Sequence, residues 1–379
     1  MENLHIKNCI AYTENGIRHE LFVTNGYFSK KENGIDYKEI DGKSYLAIPG
    51  FIDTHIHGIG GFGTEDGTPD AILGMSDFLI KEGVTTFFPT IYTDTLERMT
   101  NDERAIAQAI GNEKGAEIGG IHLEGPFISP FKIGAQNPAG RKNPSKDVME
   151  SLITAGQGKV KAMTMAPELD GIDAVAELAI EHNIVPLCGH TNATYEETLK
   201  GREHGIKHAT HLFNAMTELK NRAPGVVGAV LSSSDMTAEI IGDGKHIHPS
   251  NIKFSIEKLG VDRVAIITDS LRPTRQKEGK LTANGVEVEM KDNLWVTKGN
   301  TDLIQGSCLT MLEAFKNLLG WGFSIEDSIK MTSTTPSRIY SLSDRGSIKE
   351  GKRADFILLD TNIDIHSVFV NGDERYVVR

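Results

Sequence analysis

Cysteine is scarce: the chain of 379 residues has three, Cys9, Cys188 and Cys308, far apart and without a C-x-x-C pair. An odd, scattered set argues against a disulfide framework or a thiolate zinc site and fits a reducing compartment. Basic residues are outnumbered, with 40 Lys and Arg against 52 Asp and Glu for a formal charge of −12. The electrostatic footprint of a nucleic-acid binder is therefore missing, although a local pocket can still carry the opposite field and accept a small anion. Runs of 18 apolar residues are absent, and Met1-Glu2-Asn3-Leu4-His5 lacks the basic and apolar regions of a signal peptide. Neither a membrane span nor secretion is expected, and the protein is placed in the cytoplasm. The sequon Asn192-Ala193-Thr194 is then empty. Low-complexity tracts and short repeats are lacking too, which excludes a solenoid or a disordered tail.

What is present is ordinary globular material, 39% hydrophobic and 24% charged, long enough for two domains or for one barrel with an appendage. After Tyr45-Leu46-Ala47-Ile48, eight apolar runs end near Asp53, Thr90, Glu124, Pro167, Gly189, Thr210, Gly242 and Asp269. Helical stretches lie between them. Thr68-Pro69 is an N-cap with proline at the first helical position, closing at Gly83, and Thr194-Tyr195-Glu196-Glu197 is a capping box. Ile172 to His182, Pro249 to Leu259 and a closing helix around Ser307 to Leu319 add more. Eight such units suit a (β/α)8 TIM barrel over residues 49–346, with a doubly wound open sheet as competitor. Residues 1–48 and 347–379 hold short strand-like runs punctuated by Asn15-Gly16, Asn25-Gly26, Asn33-Gly34 and Asn371-Gly372, which predict a small β-sandwich domain formed from both termini. Leu281 to Val296, around Asn284-Gly285, reads as a hairpin inserted after the eighth strand.

Chemistry gathers at the strand ends. His55 and His57 lie two apart in an extended segment, so both imidazoles face one side and can reach one metal ion. Glu124 ends the third strand, His190 the fifth, His211 the sixth and Asp269 the eighth, the rim where barrel active sites collect. Nitrogen and carboxylate donors without cysteine suit Zn²⁺, Fe²⁺, Mn²⁺ or Co²⁺. His122 and His208 stand just before stronger candidates and read as supporting or core residues, and His5, His19, His182, His204 and His366 as surface residues. A strand-ending Asp269 beside a metal cluster suits proton abstraction from water. Gly58-Ile59-Gly60-Gly61-Phe62-Gly63 matches the dinucleotide fingerprint G-x-G-x-x-G, but the histidines precede it, no helix signal follows until Thr68-Pro69, and no acid-ending strand follows at the expected distance. Those glycines read as a tight loop. Asn214-Ala215-Met216, Arg222 and Asp243-Gly244-Lys245-His246 supply the groups that grip a phosphate, or else ordinary solvated loops.

Several of these stretches resemble the amidohydrolase superfamily and, within it, the N-acetylglucosamine-6-phosphate deacetylases. They are Pro49 to Gly58, His122-Leu123-Glu124-Gly125-Pro126-Phe127, Gly189-His190-Thr191-Asn192-Ala193, Ala209-Thr210-His211-Leu212-Phe213-Asn214-Ala215-Met216 and Gly242 to His246. Gly306-Ser307, Leu309-Thr310-Met311 and Thr335-Pro336 to Asp355 continue the likeness over nearly the whole chain. The resemblance implies hydrolysis of the 2-acetamido group of the sugar phosphate to acetate and glucosamine 6-phosphate. Glu124, His190 and His211 would hold the principal divalent metal ion, and His55 and His57, with Asp269, would make a second position, so one or two ions per subunit. No lysine appears on strand four near Met165-Ala166-Pro167, which fits Glu124 in place of a carboxylated lysine. Asn214, Ala215, Arg222 and His246, with Gln136 and Ile304, would bind the substrate, the arginine across a homodimer.

Two departures stand out: Thr268-Asp269-Ser270-Leu271-Arg272-Pro273 replaces a T-D-A motif, and Gln136 stands where some relatives have histidine. The implied mechanism has a metal ion acidify water and polarise the amide, with Asp269 taking the water's proton and returning it to the amine. Remaining alternatives are a deacetylase for another N-acetyl hexosamine phosphate such as GalNAc-6-phosphate, a cyclic amidohydrolase, and a non-catalytic binding relative.

Overall fold

The computed structural model describes residues 2–378. Eight parallel strands follow one another around a barrel: β1 (Phe51–Ile56), β2 (Val84–Tyr92), β3 (Ile121–Glu124), β4 (Val160–Met165), β5 (Val185–Cys188), β6 (His208–Ala209), β7 (Thr237–Ile241) and β8 (Val264–Ile267). Each pairs in parallel with the next. The seam between β8 and β1 closes through loop and side-chain bonds. The Asp269 N–H donates to the His55 carbonyl and the His57 N–H to the Ser270 carbonyl, both at 2.9 Å. Below them the Thr268 hydroxyl donates to Asp53 Oδ2 at 2.6 Å. The architecture is a (β/α)8 barrel with additional sheets, not an open doubly wound sheet.

One principal helix follows each strand: α1 (Pro69–Leu79), α2 (Leu96–Ala109), α3 (Lys146–Ala155), α4 (Ile172–Glu181), α5 (Tyr195–Glu203), α6 (Gly225–Ser232), α7 (Pro249–Leu259) and α8 (Met311–Gly320). Local chemistry sets their ends. The Thr68 hydroxyl accepts from the Ala71 N–H, and the chain runs on through a 3-10 turn to left-handed Gly83. At α5, Thr194 and Glu197 satisfy each other's backbone donors in the capping box. Side chains such as Ile56, Phe87, Met163, Val227 and Phe315 fill the layer between strands and helices, each burial contributing roughly 1.5–3 kcal/mol. Inside the barrel, Phe88, Ala162, Leu187 and Tyr340 form a separate buried cluster.

Two expectations about this region are corrected. The eighth helix begins at Met311 behind its Thr310 cap, not at Ser307. Gly306 and Ser307 instead continue a strand, Asn300–Ser307, because they pair with Trp295 and Leu294. The hairpin around Asn284-Gly285 is also part of something larger, a four-stranded sheet of Thr282–Ala283, Val286–Lys291, Leu294–Thr297 and Asn300–Ser307.

Both chain ends enter one six-stranded sheet, in the order Asp373–Val377, Ile365–Val370, Phe356–Leu359, Leu46–Pro49, Ile10–Thr13 and Gly16–Arg18. A four-stranded sheet, ordered Tyr27–Ser29, Leu21–Thr24, Leu4–Lys7 and Lys38–Asp41, accompanies it. Leu4, Ile6, Val23, Phe28, Phe356 and Phe369 form a buried cluster between them. Among the described residues no helix is long and apolar enough to cross a membrane.

Candidate active site and metal centre

The strand-end residues turn toward the barrel axis because the backbone there leaves the extended region. His190, His211 and Asp269 take φ values of 46°, 26° and 51°. Such conformations cost about 1–3 kcal/mol each for non-glycine residues and persist where the surroundings enforce them. After Glu124 the chain turns at Gly125, with φ 111°, and a Cβ there would collide with the Thr93 side chain. The Thr93 hydroxyl donates to the Glu124 carbonyl at 2.6 Å, so only glycine permits this approach.

Four imidazoles and two carboxylates converge. The Nε2 atoms of His190 and His211 each lie 3.0 Å from Glu124 Oε1. His55 Nε2 is 3.5 Å from the same oxygen and 3.6 Å from Asp269 Oδ1. His57 Nε2 stands 3.3 Å from Glu124 Oε2 and 3.4 Å from Asp269 Oδ1. Among the described residues three sets place their donor atoms close together: His55 with Glu124 and His211, His55 with His57 and Asp269, and His55 with His122 and Glu239. In the third, both His122 nitrogens already meet other groups.

The opposite ring nitrogens explain the orientation. Nδ1 of His57 meets the Thr90 carbonyl at 3.0 Å and Nδ1 of His190 the Lys132 carbonyl at 2.9 Å. A carbonyl only accepts, so these Nδ1 atoms carry the hydrogens and the Nε2 lone pairs face the centre. His55 Nε2 is buried with no hydrogen-bond partner. Lone pairs aimed at carboxylate oxygens repel unless a proton or cation lies among them, so this donor set fits a divalent ion. Tyr92 stacks on His57 with ring centroids 3.7 Å apart and holds its plane.

Charges in the cluster support one another. Burial alone would raise Glu124, but His55, His190 and His211 hold it well below the usual carboxylate range. Asp269 is likewise raised by burial yet lowered overall by His57, His55 and His211. Burial opposes a charged His55, and the facing Glu124 and Glu239 overcome that and raise it. His122 differs: burial and the neighbouring His55 push it down to about 3. Its Nδ1 meets the Thr54 carbonyl and its Nε2 the Thr164 hydroxyl, at 3.1 and 3.0 Å, so neither nitrogen faces the centre. His208 is buried and meets the Thr237 hydroxyl.

A cavity of roughly 330 Å³ opens onto the cluster, lined by His57, Glu124, His190, His211 and Asp269 and also by Gln136, Asn214, Ala215, His246 and Ile304. His246 Nδ1 lies 2.6 Å from Asp243, which raises its pKa against the opposing effect of burial. The Gln136 amide is already engaged, its NH₂ donating to Glu124 Oε2 at 2.5 Å and its carbonyl accepting from the Thr93 N–H at 2.7 Å. Arg222 is not brought to this cavity. A turn closed by the Lys220 N–H on the Ala223 carbonyl leaves it exposed before α6. The G-x-G-x-x-G segment forms a small hairpin, Gly58–Ile59 against Phe62–Gly63. Of the histidines read as surface residues, His19 and His182 are exposed, whereas His5, His204 and His366 are half-buried.

Sequence reasoning missed Tyr92 and Glu239. Each lies within an apolar strand, and only the positions of His57 and His55 across the barrel give it a task.

A family model described as "Amidohydrolase family" matches residues 46–378. The N-acetylglucosamine-6-phosphate deacetylase of Lysinibacillus sphaericus is 30% identical over 346 residues, covering 90% of this chain and 88% of that one. The N-acetylgalactosamine-6-phosphate deacetylase of Escherichia coli O157:H7 is 29% identical over 358 residues, covering 93% and 94%. Among solved structures, a mutant N-acetyl-D-glucosamine-6-phosphate deacetylase of Mycobacterium smegmatis in complex with N-acetyl-D-glucosamine-6-phosphate superposes with a TM-score of 0.91, at 26% identity and 100% coverage of both chains.

Proposed function

The chain belongs to the amidohydrolase family, and from that premise we propose that it hydrolyses the acetamide of N-acetylglucosamine 6-phosphate, releasing acetate and glucosamine 6-phosphate. The observation that carries this reading is the convergence of four imidazole Nε2 atoms on Glu124 and Asp269 at the wall of the barrel cavity. The relatives of like length that act on hexosamine phosphates support the substrate class.

In this reading Glu124, His190 and His211 would hold the principal divalent ion, and His55, His57 and Asp269 would offer a second position. A cation held there would supply Lewis acidity toward water and the amide carbonyl. Asp269 acts as the base: it takes the attacking water's proton and passes it to the nitrogen as the C–N bond breaks. Gln136 keeps Glu124 in place through its short hydrogen bond to Oε2. His246, paired with Asp243, offers positive charge to the anionic substrate, and Asn214, Ala215 and Ile304 shape the wall around the sugar. Binding energy from these remote contacts places the acetamide for attack.

Acetate release tests the proposal. Metal-stripped protein, resupplied in turn with Zn²⁺, Fe²⁺, Mn²⁺ and Co²⁺, is assayed on N-acetylglucosamine 6-phosphate, its galactosamine epimer and free N-acetylglucosamine. The expected result is metal-dependent turnover with the highest kcat/KM on the first. No acetate with any metal, or a clear preference for another substrate, would overturn it.

A further inference from the structure

Glu239 has no part in the reaction just described, yet its surroundings are unusually specific. It stands on β7, fully buried. The Thr54 hydroxyl and the Tyr340 hydroxyl each donate to its Oε1 at 3.0 Å, and His208 Nε2 lies 3.9 Å from that oxygen. Its Oε2 lies 3.2 Å from His55 Nδ1. A carboxylate taken out of water is costly unless paired and hydrogen-bonded, and placing one beside a centre that already holds Glu124 and Asp269 adds repulsion. An apolar residue would fill the strand without either penalty.

The pairing singles out His55. Nδ1 of His57 and of His190 donate to backbone carbonyls, and Nδ1 of His211 is buried without a partner. His55 is the one of the four backed by a carboxylate. As a stronger acceptor, a carboxylate fixes the Nδ1–H tautomer and makes the opposite nitrogen a better donor to a cation. That opposite atom, His55 Nε2, is the buried nitrogen without a hydrogen-bond partner, between Glu124 and Asp269. His122 cannot take over the role, because both of its ring nitrogens are engaged elsewhere.

We propose that Glu239 is a positioning residue for a second cation: by holding His55 in this tautomer it lets the His55, His57 and Asp269 position bind a divalent ion alongside the one at Glu124, His190 and His211. The inference rests on the metal-dependent reading above. Of the four imidazole ligands Glu239 touches only His55. The His55 Nε2 lies between Glu124 and Asp269, while Glu124 has His190 and His211 closer, at 3.0 Å each, so the loss falls on the position that His55 shares with His57 and Asp269.

The test counts ions. Metal-free protein is dialysed against Mn²⁺ or Co²⁺ and bound metal is measured across a range of free concentrations, with circular dichroism and apo-protein melting as folding controls. The wild type should bind two equivalents. Glu239→Gln should keep one at wild-type affinity and bind the other about 10- to 100-fold more weakly. His55→Gln should lose that same equivalent, and the double variant should lose no more. A purely structural role would lower melting without separating the two equivalents. If Glu239→Gln does not fold, Glu239→Asp, which keeps the charge but withdraws it from Nδ1, carries the same expectation. Wild-type affinities for both ions in a folded variant, or equal weakening of both, would overturn the inference. A wild type that binds a single ion overturns it while leaving metal-dependent hydrolysis standing, whereas one that binds none sinks the metal reading itself.

Discussion

Burial raises both Asp269 and Glu103, and only Asp269 has neighbours that overcome it. Around Asp269 burial is overcome by His57, His55 and His211, so the group stays ionised and ready to accept a proton. Asp269→Asn should lower kcat by about 10²- to 10⁴-fold while metal analysis still finds the ion at Glu124, His190 and His211; near-normal turnover would reject its role as base. Glu103 on α2 is fully buried, and neither carboxyl oxygen has a partner. Burial pushes it up to about 9. The folded state therefore holds a proton that the unfolded chain releases from about pH 4.5 upward, so this group's contribution to stability is highest below that pH and falls as pH rises toward 9. Glu103→Gln removes the titration. Its stability relative to wild type should climb by up to about 1.4 kcal/mol per pH unit across that window, read from urea unfolding at pH 5, 7 and 9; parallel profiles would count against it. Asp269 was legible in the sequence because an acid ending an apolar run stands out. Glu239 was not, since Thr-Ala-Glu-Ile-Ile reads as a strand with one solvent-facing acid until partners 185 and 101 residues away, Thr54 and Tyr340, are seen to meet it.

At the scale of elements, the eight apolar runs, the caps at Thr68 and Thr194 and the proline that opens the helix at Pro249 carry local signals, and they announce the barrel's strands and helices. The sheet over residues 282–307 depends on distant pairing instead. Gly306 and Ser307 join a ladder with Trp295 and Leu294, which overrides the helix their neighbourhood suggests. The same sheet gives a task to the residue that follows Thr268-Asp269-Ser270, although nothing in the structure explains serine in place of alanine at position 270, whose hydroxyl is buried without a partner. Leu271 is fully buried and packs with Tyr92, Ala283, Val288 and Trp295, so the loop that follows Asp269 anchors the sheet that brings Ile304 to the cavity. Leu271→Ala should cost about 2–5 kcal/mol and raise KM more than it lowers kcat, because Asp269 keeps its bond to the His55 carbonyl. Thermal melting and steady-state kinetics check this. An unchanged KM would mean that the sheet does not shape the substrate site.

Across the whole molecule, the acidic balance of −12 leaves the cavity with Lys132 and His246 as its cationic side chains on the wall away from the metal ligands, and a phosphate dianion is held more tightly where a guanidinium joins them. Arg222 is the residue that family resemblance assigns to that task, and it lies exposed outside its own chain's cavity. The two statements would agree if Arg222 entered the site of a second copy. Two large apolar side chains stand exposed, Leu219 three residues before Arg222 at 49% and Phe131 on the cavity wall at 78%, and a covering partner would bury them. Subunit mixing tests the arrangement. Arg222→Ala alone should raise KM for the phosphorylated sugar and leave free N-acetylglucosamine unaffected, and Asp269→Asn alone should be inactive. When the two variants are unfolded and refolded together in equal amounts, half the dimers pair an intact Asp269 with a neighbour's intact Arg222. Such a hybrid has one complete site of two, so about a quarter of wild-type activity should return at low substrate concentration if the dimer is twofold symmetric. An arginine that works within its own chain, or not at all, leaves every mixed species without a complete site, and mixing then restores nothing.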